Sequence, residues 1–157
     1  MKKKYLFLLA ALCLLMFSYV SASGSIQAPD FRAYDLKLKY VSSNDYIGKK
    51  PVILFFWTTW CSYCRKEMGG LKDKCQKISS DGVELFAVNV EESQNRVERF
   101  MENYSWFSNV LLDRDAQVAY SYGILGFPTY IFIDKNGKIV FRGNSFTDNE
   151  YSRLLGK

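Results

Sequence analysis

Seven consecutive apolar residues, "PVILFFW" from Pro51 to Trp57, constrain this chain more than any other stretch. The run is too rich in β-branched and aromatic side chains to be a surface helix, so it reads as a buried central strand. Its character changes within a few residues. From Cys61 onward the apolar positions Cys64, Met68, Leu71, Cys75 and Ile78 recur at spacings of 4, 3, 4 and 3. That is the stripe of an amphipathic helix, which Gly69 and Gly70 are expected to bend or loosen.

The alternation continues. "VELFAVNV", Val83 to Val90, reads as a second buried strand, and Ser93 as the N-cap of a helix with Val97, Phe100, Met101 and Tyr104 on one face. "NVLLD" is a short strand, and Ala116 to Tyr122 a short helix with Val118, Ala119 and Tyr122 inward. Asn136-Gly137 joins two β-rich runs, a strong hairpin signal. Asp148 to Leu155 makes a brief terminal helix, while the segment before Pro51 reads as a hairpin or extended stretch ending at the turn Ile47-Gly48-Lys49-Lys50. Strands alternating with helices and closing on a hairpin imply a three-layer α/β domain with a mixed sheet.

The chain of 157 residues is one domain's worth, and 48% hydrophobic residues suffice for a packed core. Residues 1–23 open with Lys2, Lys3 and Lys4, run apolar from Leu6 to Val20 and end on the small residues Ala22 and Ser23, the pattern of a secretory signal peptide. An uncleaved membrane anchor is the alternative, and residues 24–157 are then the domain. Without those three lysines the basic count falls from 21 to 18 against 16 acidic residues, leaving about +2. A nearly neutral domain of this kind is a poor partner for nucleic acid.

Histidine is absent. There is therefore no Ser-His-Asp or Cys-His catalytic pair, no histidine metal ligand and no histidine base. Export also bears on the cysteines, because disulfides persist in extracytoplasmic compartments. Cys13 lies in the apolar leader, so the domain carries Cys61, Cys64 and Cys75, an odd number that cannot all be bridged within one chain. A zinc site normally needs four ligands, and only Cys75 and carboxylates could join the pair, so no metal and no cofactor is expected. A structural disulfide between residues three apart closes a tiny loop and constrains the unfolded chain little. Redox chemistry is the stronger reading. A strand ending in Trp-Cys-X-X-Cys and opening a helix puts Cys61 at the helix N-terminus, where free amides and the macrodipole favour a thiolate nucleophile. Cys64, one turn on, is placed to resolve a mixed disulfide. Cys75, on the inward stripe, reads as a buried free thiol.

"FFWTTWCSYCRKEM" together with "GFPTYIFIDKNGKIVFRG" resembles the thioredoxin superfamily, and more narrowly the membrane-associated, extracytoplasmic thiol-disulfide oxidoreductases of the TlpA/ResA type. The resemblance runs from about Ala28 to about Gly143. It implies a thioredoxin fold with a central mixed β-sheet flanked by helices, an N-terminal β extension and a central αβ insertion, which the segment from Gln94 to Asp113 fits. It also implies a cis Pro128 facing a Cys61–Cys64 disulfide, with the Phe127 backbone pairing with a substrate strand. Trp60 matches the tryptophan before the family's cysteine motif, and with Tyr63 and Phe127 it makes an apolar rim for docking substrate. Glu67, three residues after Cys64, matches a glutamate near the active site of ResA-like proteins and is the expected proton-handling group. The chain departs from the family at Tyr63, where proline often precedes the second cysteine, and at Phe55, where general thioredoxins carry a buried aspartate.

These features predict a monomeric, exported thiol-disulfide oxidoreductase, periplasmic or otherwise extracytoplasmic. Its direction is expected to be reductive, with apocytochrome c or another oxidised exported protein as substrate and a membrane thiol-transfer protein as electron source. Two alternatives remain: a thiol peroxidase of the peroxiredoxin type, suggested by the Thr58-X-X-Cys61 spacing, and a non-catalytic binding domain of the same fold.

Overall fold

The computed structural model describes residues 26–157. The signal-peptide expectation and Cys13 lie outside the described residues. Within them a seven-stranded mixed sheet carries β1 (Arg32–Asp35), β2 (Tyr40–Ser42), β3 (Val52–Trp57), β4 (Glu84–Val90), β5 (Val110–Asp113), β6 (Thr129–Ile133) and β7 (Ile139–Gly143) in the spatial order β2-β1-β5-β4-β3-β6-β7. The neighbours β3, β4 and β5 are parallel, while β6 and β7 on one side and β1 and β2 on the other add antiparallel strands. The expected N-terminal extension is the β1–β2 hairpin. The expected insertion is α2 (Gln94–Met101) with β5.

All six residues of β3 are buried, because both faces of the sheet are covered. On one face α1 (Ser62–Ser80), α2 and α4 (Asp148–Leu154) pack Met68, Leu71, Val97 and Leu154 against Ile53, Phe55 and Trp57. On the other, α3 (Gln117–Ser121) and the N-terminal segment pack Val118, Tyr122 and Phe31 against Val52, Leu54 and Phe56. Burying each large apolar side chain in this way stabilises the fold by roughly 1.5–3 kcal/mol. The continuous apolar run is thus the signature of a strand with no solvent face.

Several local expectations need correction. α1 runs unbroken through Gly69 and Gly70, since its buried stripe of Cys64, Met68, Leu71 and Ile78 outweighs the glycines' weak propensity. Cys75 is half-buried rather than sealed in the core. Ser93 stands at the N-cap of α2 without a side-chain capping bond. α3 begins at Gln117 because Ala116 adopts a left-handed φ of 56°, and the buried Asp113 carboxylate accepts the Val118 and Ala119 amides at 3.0 and 2.8 Å in place of a cap. The β6–β7 turn forms as predicted: Gly137 takes a φ of 81°, and Asp134 Oδ1 accepts the amides of Asn136 and Lys138.

Candidate active site

β3 delivers the chain to the edge of the sheet at Trp57, and Thr58, Thr59 and Trp60 carry it into α1. Cys61 is the N-cap of that helix, with extended backbone (φ −77°, ψ 110°), and its Sγ accepts the Cys64 amide at 3.1 Å. A sulfur in the capping position meets one of the helix's unsatisfied amides directly, and the first turn holds no acidic residue to oppose it. Cys61 and Cys64 form a disulfide with Cα atoms 5.2 Å apart. Both cysteines are buried, Cys64 completely and Cys61 all but 6%, so only the first residue keeps any exposure.

The loop before β6, where the Phe127–Pro128 peptide bond is cis, comes up against the turn that carries the pair. The Phe127 ring meets Trp60 edge to face, with centroids 6.1 Å apart. A groove of about 440 Å³ opens beside this contact, lined by Tyr63, Lys66, Glu67, Phe127, Pro128 and Asn144. Trp60 and Tyr63 stand 63% and 73% exposed at its rim and give it an apolar border. The fold therefore brings Trp60, Tyr63, Glu67, Phe127 and Pro128 together beside the cysteine-bearing turn, although the two segments lie at least 60 positions apart in sequence.

Glu67 is half-buried, and its Oε2 accepts the Phe146 amide at 3.1 Å. No hydrogen bond joins it to either cysteine among the described residues. The Tyr130 hydroxyl is buried beside it without a partner at hydrogen-bonding geometry. Burial first, and then the Glu67 charge, push that phenol above its ordinary range. Cys75 belongs elsewhere. It lies 11 residues along α1 from Cys64, about 16 Å of helix, and faces a separate cavity of about 200 Å³ with Trp106 and Asn109. Burial raises its thiol to about 11. Among the described residues no cluster of His, Cys, Asp or Glu is arranged to hold a metal ion.

Sequence reasoning missed Glu92 and Thr59. The Glu92 carboxylate, only 5% exposed, reaches Thr59 across the site from the loop after β4. A glutamate just past a strand reads as a solvated loop residue. Only the parallel pairing of β3 with β4, which sets Trp57 opposite Asn89, brings it under the cysteine loop.

A cysteine pair at the head of a helix, faced by a cis-proline loop on a mixed sheet, defines a redox-disulfide site of the thioredoxin type. The chain belongs to the AhpC/TSA family of the thioredoxin superfamily: the sequence model of that family matches residues 25–142. It is similar to the thiol-disulfide oxidoreductase ResA of Geobacillus thermodenitrificans, 41% identical over 112 residues that make up 71% of this chain and 64% of that protein. The ResA of Bacillus subtilis is 39% identical over 120 residues, 76% of this chain and 66% of that one. The chain thus spans just under two thirds of the length of these curated relatives. Among solved structures, the thioredoxin domain of a thiol-disulfide oxidoreductase from Bacteroides vulgatus superimposes with a TM-score of 0.74 at 31% identity, covering 86% of this chain and 99% of that one. A putative thiol:disulfide interchange protein DsbE from Chlorobium tepidum gives 0.72 at 28% identity, covering 87% and 95%.

Proposed function

We propose that the protein is an exported thiol-disulfide oxidoreductase that works as a reductase on disulfide-containing proteins. The observation that carries this is Cys61 Sγ on the Cys64 amide at the first position of α1, bridged to a fully buried Cys64 beside an aromatic-rimmed groove. In the reduced protein the Cys61 thiolate attacks one sulfur of a substrate disulfide, and the other leaves as a thiolate that takes up a proton. The Cys64 thiol gives up its proton and attacks Cys61 Sγ. The substrate's second sulfur leaves with the remaining electron pair and is protonated, so the substrate gains two electrons and two protons while Cys61–Cys64 closes. Glu67, on the groove wall, is the group we assign to proton handling, and Trp60, Tyr63, Phe127 and Pro128 to holding an extended substrate segment.

The names of the curated relatives support the chemistry. Apocytochrome c as substrate, a membrane thiol-transfer protein as the source of electrons, and a monomeric protein acting outside the cytoplasm complete the reading. The leader-like residues 1–23 support export, and no helix among the described residues is long and apolar enough to cross a membrane.

A thiol peroxidase reading has the Thr58-X-X-Cys61 spacing and the family's breadth in its favour. Against it, Leu54 stands where the upstream proline is expected, and the partner of Cys61 is three residues away. Parallel turnover assays separate the two: reduction of an oxidised protein with dithiothreitol as the source of electrons, and consumption of hydrogen peroxide. Fast protein reduction with little peroxide loss is expected. The reverse result assigns the site to peroxide.

A further inference from the structure

The Glu92 carboxylate takes no part in the exchange described above, yet it is the most heavily hydrogen-bonded side chain near it. Its Oε2 accepts the Thr59 amide at 2.6 Å and Asn89 Nδ2 at 2.8 Å. Its Oε1 accepts the Thr59 hydroxyl at 2.6 Å and pairs with Arg96 Nε at 3.0 Å. Arg96 Nε also reaches Thr59 Oγ1 at 3.0 Å. From the other side Arg65, one turn into α1, donates from Nη1 to the Thr59 carbonyl at 3.0 Å. Thr59 is therefore held through its amide, its hydroxyl and its carbonyl by two separate elements. It stands two residues before Cys61, whose own amide reaches back to the Thr58 carbonyl at 3.4 Å.

A buried carboxylate is costly unless it is paired and fully bonded. Here two of its four donors come from a single residue of the cysteine loop. The preceding residue, Glu91, holds a left-handed φ of 57°, an unfavourable conformation for a glutamate, at the point where the chain turns out of β4. We propose that Glu92 is a positioning residue for the redox pair. Through Thr59 it fixes the loop Thr58–Trp60, keeps the Cys61 sulfur on the Cys64 amide, and so sets how strongly the helix terminus stabilises the Cys61 thiolate. This rests on the thiol-exchange reading.

Charge-conserving variants of the full chain test it. Thr59→Val removes the hydroxyl donor while keeping the side-chain shape. Glu92→Gln combined with Arg96→Gln removes the ion pair without altering net charge. The readouts are the redox equilibrium of the cysteine pair against dithiothreitol and thiolate absorbance against pH. A looser Cys61 loses thiolate stabilisation, so both changes move the equilibrium toward the disulfide by about threefold to tenfold, the worth of one net hydrogen bond, and raise the thiolate midpoint. Thr59→Ser restores the wild-type values. All three changes together shift the equilibrium no further than the larger effect alone, because they break one connection. Folded variants with the wild-type equilibrium and midpoint overturn the proposal, and if the Glu92→Gln/Arg96→Gln protein does not fold, Thr59→Val decides by the same criterion. A wild-type protein with no reversible cysteine pair overturns the exchange reading itself, a result distinct from unchanged variants.

Discussion

At the scale of single residues the two cysteines of the pair differ by position alone. Cys61 caps the helix and Cys64 lies inside it, and that asymmetry was legible from a strand running into Trp-Cys-X-X-Cys. Glu67 was legible only through family resemblance, and its bond to the Phe146 amide was not, since residue 146 returns from the far end of the chain. Glutamine keeps an acceptor for that amide, so Glu67→Gln is expected to fold normally. Replacing the carboxyl by an amide lowers the apparent thiol midpoint and slows turnover on the order of 100-fold. Superimposable thiolate titrations with unchanged turnover would leave Glu67 only its bond to Phe146. Cys75 behaves in the opposite sense. Burial destabilises its thiolate and raises the thiol from 9.0 to about 11, so at pH 7 roughly one molecule in ten thousand carries that thiolate. In the reduced protein a thiolate-selective alkylator therefore labels Cys61 well before Cys75, and labelling of Cys75 climbs with pH up to about 11. The native state also holds the Cys75 proton more tightly than the unfolded chain. The stability this contributes is intact below pH 9.0 and is lost as pH rises toward 11. Cys75→Ala should abolish that alkaline loss, cost about 1 kcal/mol of packing and leave disulfide reduction intact, as peptide mapping and turnover will check.

Among the elements, those with a strong period were the easiest to read. β3 is apolar throughout because helices cover both faces, and α1 shows its stripe at helical spacing. The β6–β7 turn carried its own chemistry in Asn136-Gly137. Boundaries set by distant partners were not legible. The start of α3 depends on Asp113, whose burial against Val118 and Ala119 follows from β5 lying inside the sheet. Replacing it tests that dependence. Asp113→Ala leaves two buried amides without an acceptor and is expected to cost about 1–3 kcal/mol in denaturant unfolding. An unchanged midpoint and slope would mean that α3 is held by its apolar contacts alone.

For the molecule as a whole, the alternation of strands and helices conveyed the layered α/β fold, and the extension and the insertion took the places expected of them. Contacts between elements adjacent in the sheet but remote in sequence stayed hidden, and the hold of Glu92 on Thr59 is the clearest case, since it exists only because β4 lies beside β3. The same adjacency explains why the site is an edge feature. The parallel strands β3 and β4 end at the same level, and the loops that follow them meet there with α1 and the cis-proline loop. Exchange through this edge is the central claim, and covalent trapping tests it most directly. The full chain with Cys64→Ser, reduced and mixed with an oxidised protein substrate, should accumulate a mixed disulfide that mass mapping assigns to Cys61, while Cys61→Ser accumulates none. Trapping on Cys64 in the Cys61→Ser protein, or no adduct in either variant when the wild type turns over, would contradict it.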